Sequence, residues 1–343
     1  MNIISQFTKP GLRYIDFKSF LKRYHNKNFT FLDTTIKYNT NINKDEPTPF
    51  ELLLKRYTHN NEPLFIHIGR DKTHAPYCDR IIINKMFDYD IDLDRVWVIT
   101  SNKNYAKDTV LKSIYFNFYE TAIKNCKDMI NIDVTKKNHS KKFLCLNHAP
   151  SLHRKQIVYN LVENSLLNEC NVSYNDEKLK LSYDDKFTDT INSLPNEEWR
   201  SSIAKTSTIN YSLIFNENFS YDNSIFIITE SLFSNEGGVD FITEKTYKAI
   251  LLKMPFIIVG QPNTLKILRE LGYRTFDHMW DESYDNILDS TDRIQKINNL
   301  ILNLSKQDVK QLVIDNYDIL EYNYQNLINS NSEIELFNTL EMI

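Results

Sequence analysis

The first group of residues suited to chemistry lies where the apolar run FLCLN gives way to an amphipathic stretch. Asn147 ends the run, and His153 and Arg154 stand at the start of HRKQIVYNLVENSLL. A guanidinium can bind a diphosphate through two parallel hydrogen bonds, and it stays charged throughout a reaction. Asn147, His153 and Arg154 are therefore candidates for binding a phosphorylated ligand. The alternative is a loop histidine beside an ordinary surface arginine.

The second group repeats this arrangement further along the chain. Glu230 ends the run SIFIITE, and Thr243, Glu244 and Lys245 open TEKTYKAILLK. Thr243 is predicted to cap the helix. A lysine in the first turn is unfavourable for the helix itself, because the N-terminal end of the helix dipole is positive, and it makes sense if an anion binds there. Glu244 is suited to a ribose diol, and the alternative is a capping threonine with solvated charges.

These residues need strands and helices that bring them together. Apolar runs that end in polar residues or glycine predict strands, and these are 63–69, 94–102, 143–147, 224–230 and 255–260. Helical spacing predicts helices between them, among which are 154–167, 243–253 and 263–272, whereas 112–125 reads as either an aromatic strand or a helix. This alternation predicts parallel sheets of the doubly wound α/β class, in which ligands bind at the carboxyl ends of strands.

The chain length predicts two domains. A chain of 343 residues exceeds the size at which one hydrophobic core usually suffices. The polar and basic segment 133–142 is the best linker candidate, so we expect an N-terminal domain over 1–140 and a second domain over 141–304. The helical tail 305–343 is expected to pack back on the first domain.

The order of these features resembles the donor-binding half of GT-B glycosyltransferases. A strand ending in Asn, an Arg at a helix start, a strand ending in Glu, a TEK triplet and a Pro-led strand ending in Gly follow one another over 143–276. The likeness is nearest to the α1,3-fucosyltransferase family and to related phage and giant-virus glycosyltransferases. It implies two Rossmann-like domains facing a cleft, and it implies a nucleoside-diphosphate sugar, linked to GDP or UDP, as the co-substrate.

The resemblance also implies a role for individual residues. Arg154 is expected to contact the donor diphosphate, with Glu244 on the ribose and Lys245 on a phosphate. The same pocket is expected to be lined by Asn147, His153, Glu230, Thr243 and Phe241. Phe241 stands where the fucosyltransferases have a tyrosine.

The catalytic base is expected in the first domain, since an acceptor hydroxyl must lose a proton during transfer. The segment GRDKTHAPY follows the predicted strand 63–69, and within it Asp71 is the first candidate and His74 the second. A solvated charged loop is the alternative for both residues. Tyr105, in the loop 100–105, is a candidate for stacking on an acceptor.

No metal cofactor is expected. Asp88, Asp90 and Asp92 form Asp-x-Asp pairs, but they precede an apolar strand, whereas metal-binding pairs in GT-A enzymes follow one. The four cysteines are scattered without a CxxC pair, which is typical of reduced thiols. We find neither a signal peptide nor an apolar run long enough to span a membrane, so a cytoplasmic protein is expected, in the host cell if the sequence is viral.

Three functions are compatible with this sequence. The first is a metal-independent, inverting glycosyltransferase that acts on a glycan or a glycoprotein. The second transfers the sugar to a hydroxymethylated DNA base, which the lysines of 136–142 favour and the net charge of −4 disfavours. The third is a non-catalytic protein that binds nucleotides or sugars.

Overall fold

The apolar runs of the sequence form two parallel sheets. The structure, a computed structural model, describes residues 30–33, 54–55, 63–68, 75–147, 151–174, 217–234 and 242–343. These residues fall into two compact units, one with residues up to 121 together with 331–343, and the other with 122–234 and 242–330. Each unit carries one sheet with helices around it, a Rossmann-like α/β arrangement.

The sheet of the first unit has four parallel strands in the order in which they occur along the chain. They are β1 (Thr30–Asp33), β2 (Leu64–Ile68), β3 (Val96–Thr100) and β4 (Lys112–Tyr115). Helix α1 (Ala75–Asp88) follows β2, α2 (Lys103–Asp108) follows β3, and α3 (Phe118–Lys124) follows β4. The segment 112–125, predicted as either a strand or a helix, therefore contains one strand and one helix.

Successive side chains of a strand point to opposite faces of a sheet, and each face of this first sheet packs against its own hydrophobic cluster. Leu64 and Ile66 of β2 belong to one core cluster with Ile82 and Met86 of α1. On the other face, Phe65, Ile99 and Ile114 share a cluster with Leu336 and Leu340. The last two residues lie on α11 (Ser332–Met342), so this final helix forms part of the core of the first unit.

The sheet of the second unit has the strand order β6-β5-β7-β8, again all parallel. Its strands are β5 (Lys141–Leu146), β6 (Cys170–Ser173), β7 (Asn223–Thr229) and β8 (Phe256–Val259). Its longer helices are α4 (Leu152–Glu163), α6 (Glu244–Leu251), α8 (Ser290–Ser305) and α10 (Tyr317–Ile328), and its shorter ones are α5 (Glu217–Asp222), α7 (Thr264–Glu270) and α9 (Val309–Ile314). Every residue of β7 is buried, as expected for a central parallel strand.

The strand order of the second sheet reverses between β5 and β7. From β5 the chain moves outward to β6, and it then returns to place β7 on the opposite side of β5. Connections from the carboxyl ends of β5 and β7 therefore diverge, and in open α/β sheets a ligand-binding crevice is expected at such a reversal. Asn147 and Glu230 directly follow these two strands.

The segment predicted as a linker is packed into the second unit. Lys137 is buried and donates to the carbonyl of Lys253 at 2.7 Å, and His139 lies between Ser224 and Tyr317, at 3.1 and 2.9 Å. The division of the chain accordingly falls near residue 121 rather than 140. Buried contacts hold this polar segment in place, and polar composition alone does not reveal such contacts.

Two further sequence expectations concern helix ends and membranes. Gly272 has a φ of +85° and follows Leu271, the residue after α7, and the neighbouring Tyr273 N–H donates to Leu268 O at 3.0 Å, so the predicted glycine at the end of this helix is confirmed. Within the part of the chain that the structure describes, no helix has the length and apolar character needed to cross a bilayer.

Candidate functional site

Helix α4 begins two residues before Arg154, so His153 belongs to the first helical turn and not to a loop. Ser151 occupies the N-cap position, yet its side chain makes no capping hydrogen bond among the described residues. The first N–H groups of a helix have no partner within the helix. The N-terminus of α4, where the helix dipole is positive, therefore lies at the carboxyl end of β5 without a side-chain cap from Ser151.

Asn147, the residue directly after β5, contacts both neighbouring strands. Its amide oxygen accepts from Thr229 Oγ1 at 2.6 Å, and its amide nitrogen lies 3.3 Å from Cys145 Sγ. Its backbone N–H also donates to Ser173 O at 3.0 Å, which continues the pairing of β5 and β6. The predicted ligand-binding amide thus fixes the spacing of β5, β6 and β7 at the crevice.

Arg154 points its guanidinium at the end of β7. Its Nη2 lies 3.4 Å from both Thr229 O and Glu230 O, and the residue is buried. The guanidinium also acts on β5, where its charge favours the thiolate form of Cys145, although burial dominates and raises the pKa of that thiol to about 11. A cation therefore lies at the point where the strand order reverses.

Glu230 is used by the chain's own donors. Its Oε1 accepts from Thr246 Oγ1 at 2.7 Å and from Thr243 N at 3.3 Å. Its Oε2 accepts from Thr243 Oγ1 at 2.5 Å and from Ser231 N at 3.3 Å. Since both oxygens are engaged, Glu230 holds the start of α6 against the end of β7 instead of presenting its carboxylate to a ligand.

The TEK triplet forms the start of α6. Thr243 is the N-cap, as predicted, and its Oγ1 accepts from Lys245 N at 3.4 Å. Lys245 Nζ contacts Glu244 Oε1 at 2.9 Å, Thr243 Oγ1 at 3.1 Å and Ser231 Oγ at 3.2 Å. Burial opposes the charge of Glu244, but Lys245 and Lys248 outweigh it and lower the pKa of this carboxyl.

The guanidinium of Arg154 and the ammonium of Lys245 meet at consecutive residues. Arg154 contacts the carbonyl of Glu230, and Lys245 contacts the hydroxyl of Ser231. Both cations also act electrostatically on His153. Two positively charged side chains from distant parts of the sequence therefore lie at the same edge of the sheet, beside two helix N-termini.

His153 is buried at the centre of this group. Its Nε2 lies 3.0 Å from Glu230 O, and its ring stacks on Phe233 with 5.2 Å between centroids and 14° between planes. Burial, together with the charges of Arg154, Arg293 and Lys245, lowers its pKa to about 4, although the contact with Glu230 O acts in the opposite direction. The imidazole is therefore neutral at physiological pH.

Sequence reasoning missed two residues that hold the loop after β7. Arg293 of α8 is fully buried, lies over the Phe233 ring at 4.3 Å, and donates to Phe233 O and, at 3.2 Å, to Gly260 O. Gln261 Nε2 donates to Ser234 O at 3.0 Å. In the sequence, Arg293 is one charge in an amphipathic helix and carries no signal of this role.

The remaining predicted residues fall into two sets. Asp71, His74 and Phe241 are outside the described residues. Tyr105 is 1% exposed and donates to Asp79 Oδ1 at 2.6 Å, so the prediction that it stacks on an acceptor is wrong. A polar loop around an aromatic residue suggested exposure, but a buried carboxylate partner draws the phenol inward.

The acidic segment 88–94 is a turn. Asp92 Oδ1 accepts from Asp94 N at 2.9 Å, and Asp88 lies 3.6 Å from Lys85. Across the described ranges, no group of three or more His, Cys, Asp or Glu side chains is arranged to hold a metal ion.

Comparison with known proteins identifies no family for this chain. No protein-family model and no curated protein matches the sequence. One matching solved structure is described as a glycosylation-associated protein (Gap123) complex from Streptococcus agalactiae, with 12% sequence identity and a TM-score of 0.37. The match covers 91% of this chain, which spans 56% of the other. At that TM-score, the likeness carries no argument about fold or function.

Proposed function

We propose that the second unit binds a nucleoside-diphosphate sugar and that the protein is a metal-independent, inverting glycosyltransferase of GT-B type. The observation that carries this proposal is the meeting of Arg154 and Lys245 at Glu230 and Ser231, where the strand order reverses. The N-terminus of α4 lies at the same edge. Cations and helix amides together are the usual protein environment for a diphosphate.

The proposed reaction needs a stabilised leaving group. As the bond between sugar and diphosphate breaks, negative charge grows on the diphosphate, and fixed donors directed at that charge lower the barrier. Arg154, Lys245 and the α4 amides supply those donors without a change in their own protonation. The acceptor hydroxyl must lose its proton to a base, for which Asp71 and then His74 stay the predicted candidates.

The acceptor is proposed to be a glycan or a glycoprotein rather than DNA. The lysines of 136–142, which favoured DNA in the sequence, are used in packing. Lys137 is buried, Lys141 donates to Asn168 O at 2.7 Å, and Lys142 pairs with Glu169 at 2.8 Å. A DNA-binding groove needs exposed cations that can neutralise phosphates, and this segment offers few.

Calorimetric titration with GDP and UDP tests the donor site. Replacement of Arg154 or Lys245 by alanine is expected to weaken binding by about 1.5–3 kcal/mol, the range for hydrogen bonds to charged groups, or about ten- to a hundredfold in Kd. Lys155→Ala is the matched control, because Lys155 is adjacent in the same helix but its ammonium lies over the Tyr159 ring at 5.3 Å.

The outcome separates three possibilities. Equal affinity in the wild type, Arg154→Ala and Lys245→Ala means that the nucleotide binds elsewhere. Binding without release of sugar from either GDP- or UDP-sugars, with water or acceptor present, indicates the non-catalytic alternative. Salt-sensitive binding to duplex DNA restores the DNA acceptor.

A further inference from the structure

The neutral imidazole of His153 presents an unused acceptor. Its exposed fraction is 8%, and Nε2 faces the backbone carbonyl of Glu230 at 3.0 Å, with Ser151 Oγ at 3.5 Å. A carbonyl oxygen only accepts hydrogen bonds, so Nε2 carries the proton and Nδ1 carries a lone pair. Among the described residues, Nδ1 has no hydrogen-bond partner.

An acceptor at Nδ1 does not complement a phosphate ligand. Phosphate oxygens accept hydrogen bonds, as Nδ1 does, so the two atoms repel each other. Protonation would convert Nδ1 into a donor, but the cations that surround the ring oppose it. Arg154 comes from the same helix, Lys245 from α6 and Arg293 from α8. The carboxylate of Glu230 offers no compensation at the ring, because its oxygens are bound to Thr243, Thr246 and Ser231.

We propose that Nδ1 of His153 accepts a hydrogen bond from a hydroxyl group of the bound donor, so that His153 selects for a hydroxyl and takes no part in phosphate binding. This inference rests on the proposed function, because it assigns a further contact within the same donor site. The stack of His153 on Phe233, itself covered by Arg293, holds the ring in one orientation. An acceptor in a ring held in one orientation favours a ligand with the matching hydroxyl, because a bound ligand without it would exclude water from Nδ1 and leave the nitrogen unpaired.

The hydroxyl can belong to the ribose or to the transferred sugar. The ligand series that separates the two consists of inorganic pyrophosphate, GDP and UDP, their 2′- and 3′-deoxy forms, and the corresponding nucleotide sugars. Pyrophosphate has no hydroxyl group of this kind. If the hydroxyl belongs to the ribose, one deoxy form of each nucleotide binds more weakly than the nucleotide itself. If it belongs to the transferred sugar, only the affinities of the nucleotide and the nucleotide sugar differ.

Two variants of His153 separate its nitrogens. His153→Gln places an amide near the Nε2 position and keeps a donor for Glu230 O, but it removes the acceptor at Nδ1. His153→Asn places an amide oxygen near Nδ1 and removes the donor. We expect His153→Gln to weaken binding of the hydroxyl-bearing ligand about three- to tenfold and to leave pyrophosphate unchanged. His153→Asn is expected to retain most of the affinity for that ligand.

A pH series supplies a readout that a purely structural role would not change. With His153 neutral, the affinity ratio between wild type and His153→Gln stays constant from pH 6 to pH 8. A phosphate-binding imidazolium would instead make that ratio decline as pH rises through its pKa in the complex, because the charged form is lost. A decline of this kind, or a loss of pyrophosphate affinity in His153→Gln, refutes the inference.

Failure of this inference is distinguishable from failure of the proposed function. If the wild type binds neither GDP, UDP nor their sugars, both are wrong. If it binds them and His153→Gln keeps the same preference for hydroxyl-bearing over deoxy ligands, only the role of His153 is wrong. If His153→Gln fails to fold, as judged by thermal melting, the inference is tested on the wild type with the deoxynucleotides and the nucleotide sugars. Equal affinities for all these ligands refute it, because no hydroxyl then contributes to binding.

Discussion

Replacement of Glu230 tests whether this carboxylate holds the start of α6. The carboxylate accepts four hydrogen bonds, two of them from backbone N–H groups and two from threonine hydroxyls. In Glu230→Gln one oxygen becomes an amide group, which cannot accept. The hydroxyls of Thr243 and Thr246 can rotate to accept from that amide, but a backbone N–H cannot. One buried donor therefore loses its partner, and we expect a loss of about 1–3 kcal/mol in the free energy of unfolding.

Truncation to Glu230→Ala removes all four acceptor contacts. We expect a larger loss of about 3–5 kcal/mol, which is less than the sum of four separate bonds because the loop after β7 relaxes and water enters. Urea unfolding followed by circular dichroism measures both values. Glu163→Gln is the control, because this residue is exposed at the end of α4 and its change is expected to stay within about 0.5 kcal/mol. If Glu230→Gln is as stable as that control, Glu230 does not hold α6, and its carboxylate is again a candidate ligand group.

Two further predictions concern charges near this sheet. Burial and the charge of Lys253 lower the pKa of Lys137 from 10.5 to about 7. Above pH 7, Lys137 therefore loses its proton in the folded chain but keeps it in the unfolded chain. Because the unfolded chain then binds more protons, the free energy of unfolding of the wild type rises between pH 7 and pH 9. From pH 7 to pH 9, the free energy of unfolding of wild type should therefore rise by about 2–3 kcal/mol relative to that of Lys137→Met in urea unfolding, while Lys136→Met, at an exposed position, shows no such trend. Glu244→Gln releases Lys245 from its ion pair, so calorimetry should show tighter binding of pyrophosphate. If Glu244 also contacts ribose, the same variant should bind GDP or UDP more weakly. A parallel change in the affinities for pyrophosphate and for the nucleotides contradicts the ribose role.

Much of the second sheet was predictable from the sequence. The run SIFIITE predicts a strand over 224–230, and β7 spans Asn223–Thr229, because a short, continuous apolar run between polar segments is typical of a buried parallel strand. The position of Thr243 as N-cap followed from the same local rules. Local sequence thus placed the functional groups at strand ends and helix starts.

The partners of those groups were not predictable. Glu230 at a strand end is equally consistent with a ligand contact and with an internal clamp, and the choice depends on donors that the chain supplies from a later helix. Tyr105 was assigned to the surface for a similar reason, since its partner Asp79 lies on another helix. Such pairings depend on tertiary packing, and residue type and spacing do not encode them locally.

The geometry around Glu230 also brings together residues that are far apart in sequence. The backbone carbonyl of Glu230 accepts hydrogen bonds from His153 and Arg154 of α4. Its carboxylate accepts one from Thr243, the N-cap of α6, and the hydroxyl of the next residue, Ser231, contacts Lys245. The first turns of α4 and α6 therefore both contact one residue, Glu230, which directly follows the fully buried strand β7. A shift of β7 would move both cations together and preserve their spacing, which is the property that recognition of a diphosphate of fixed length requires.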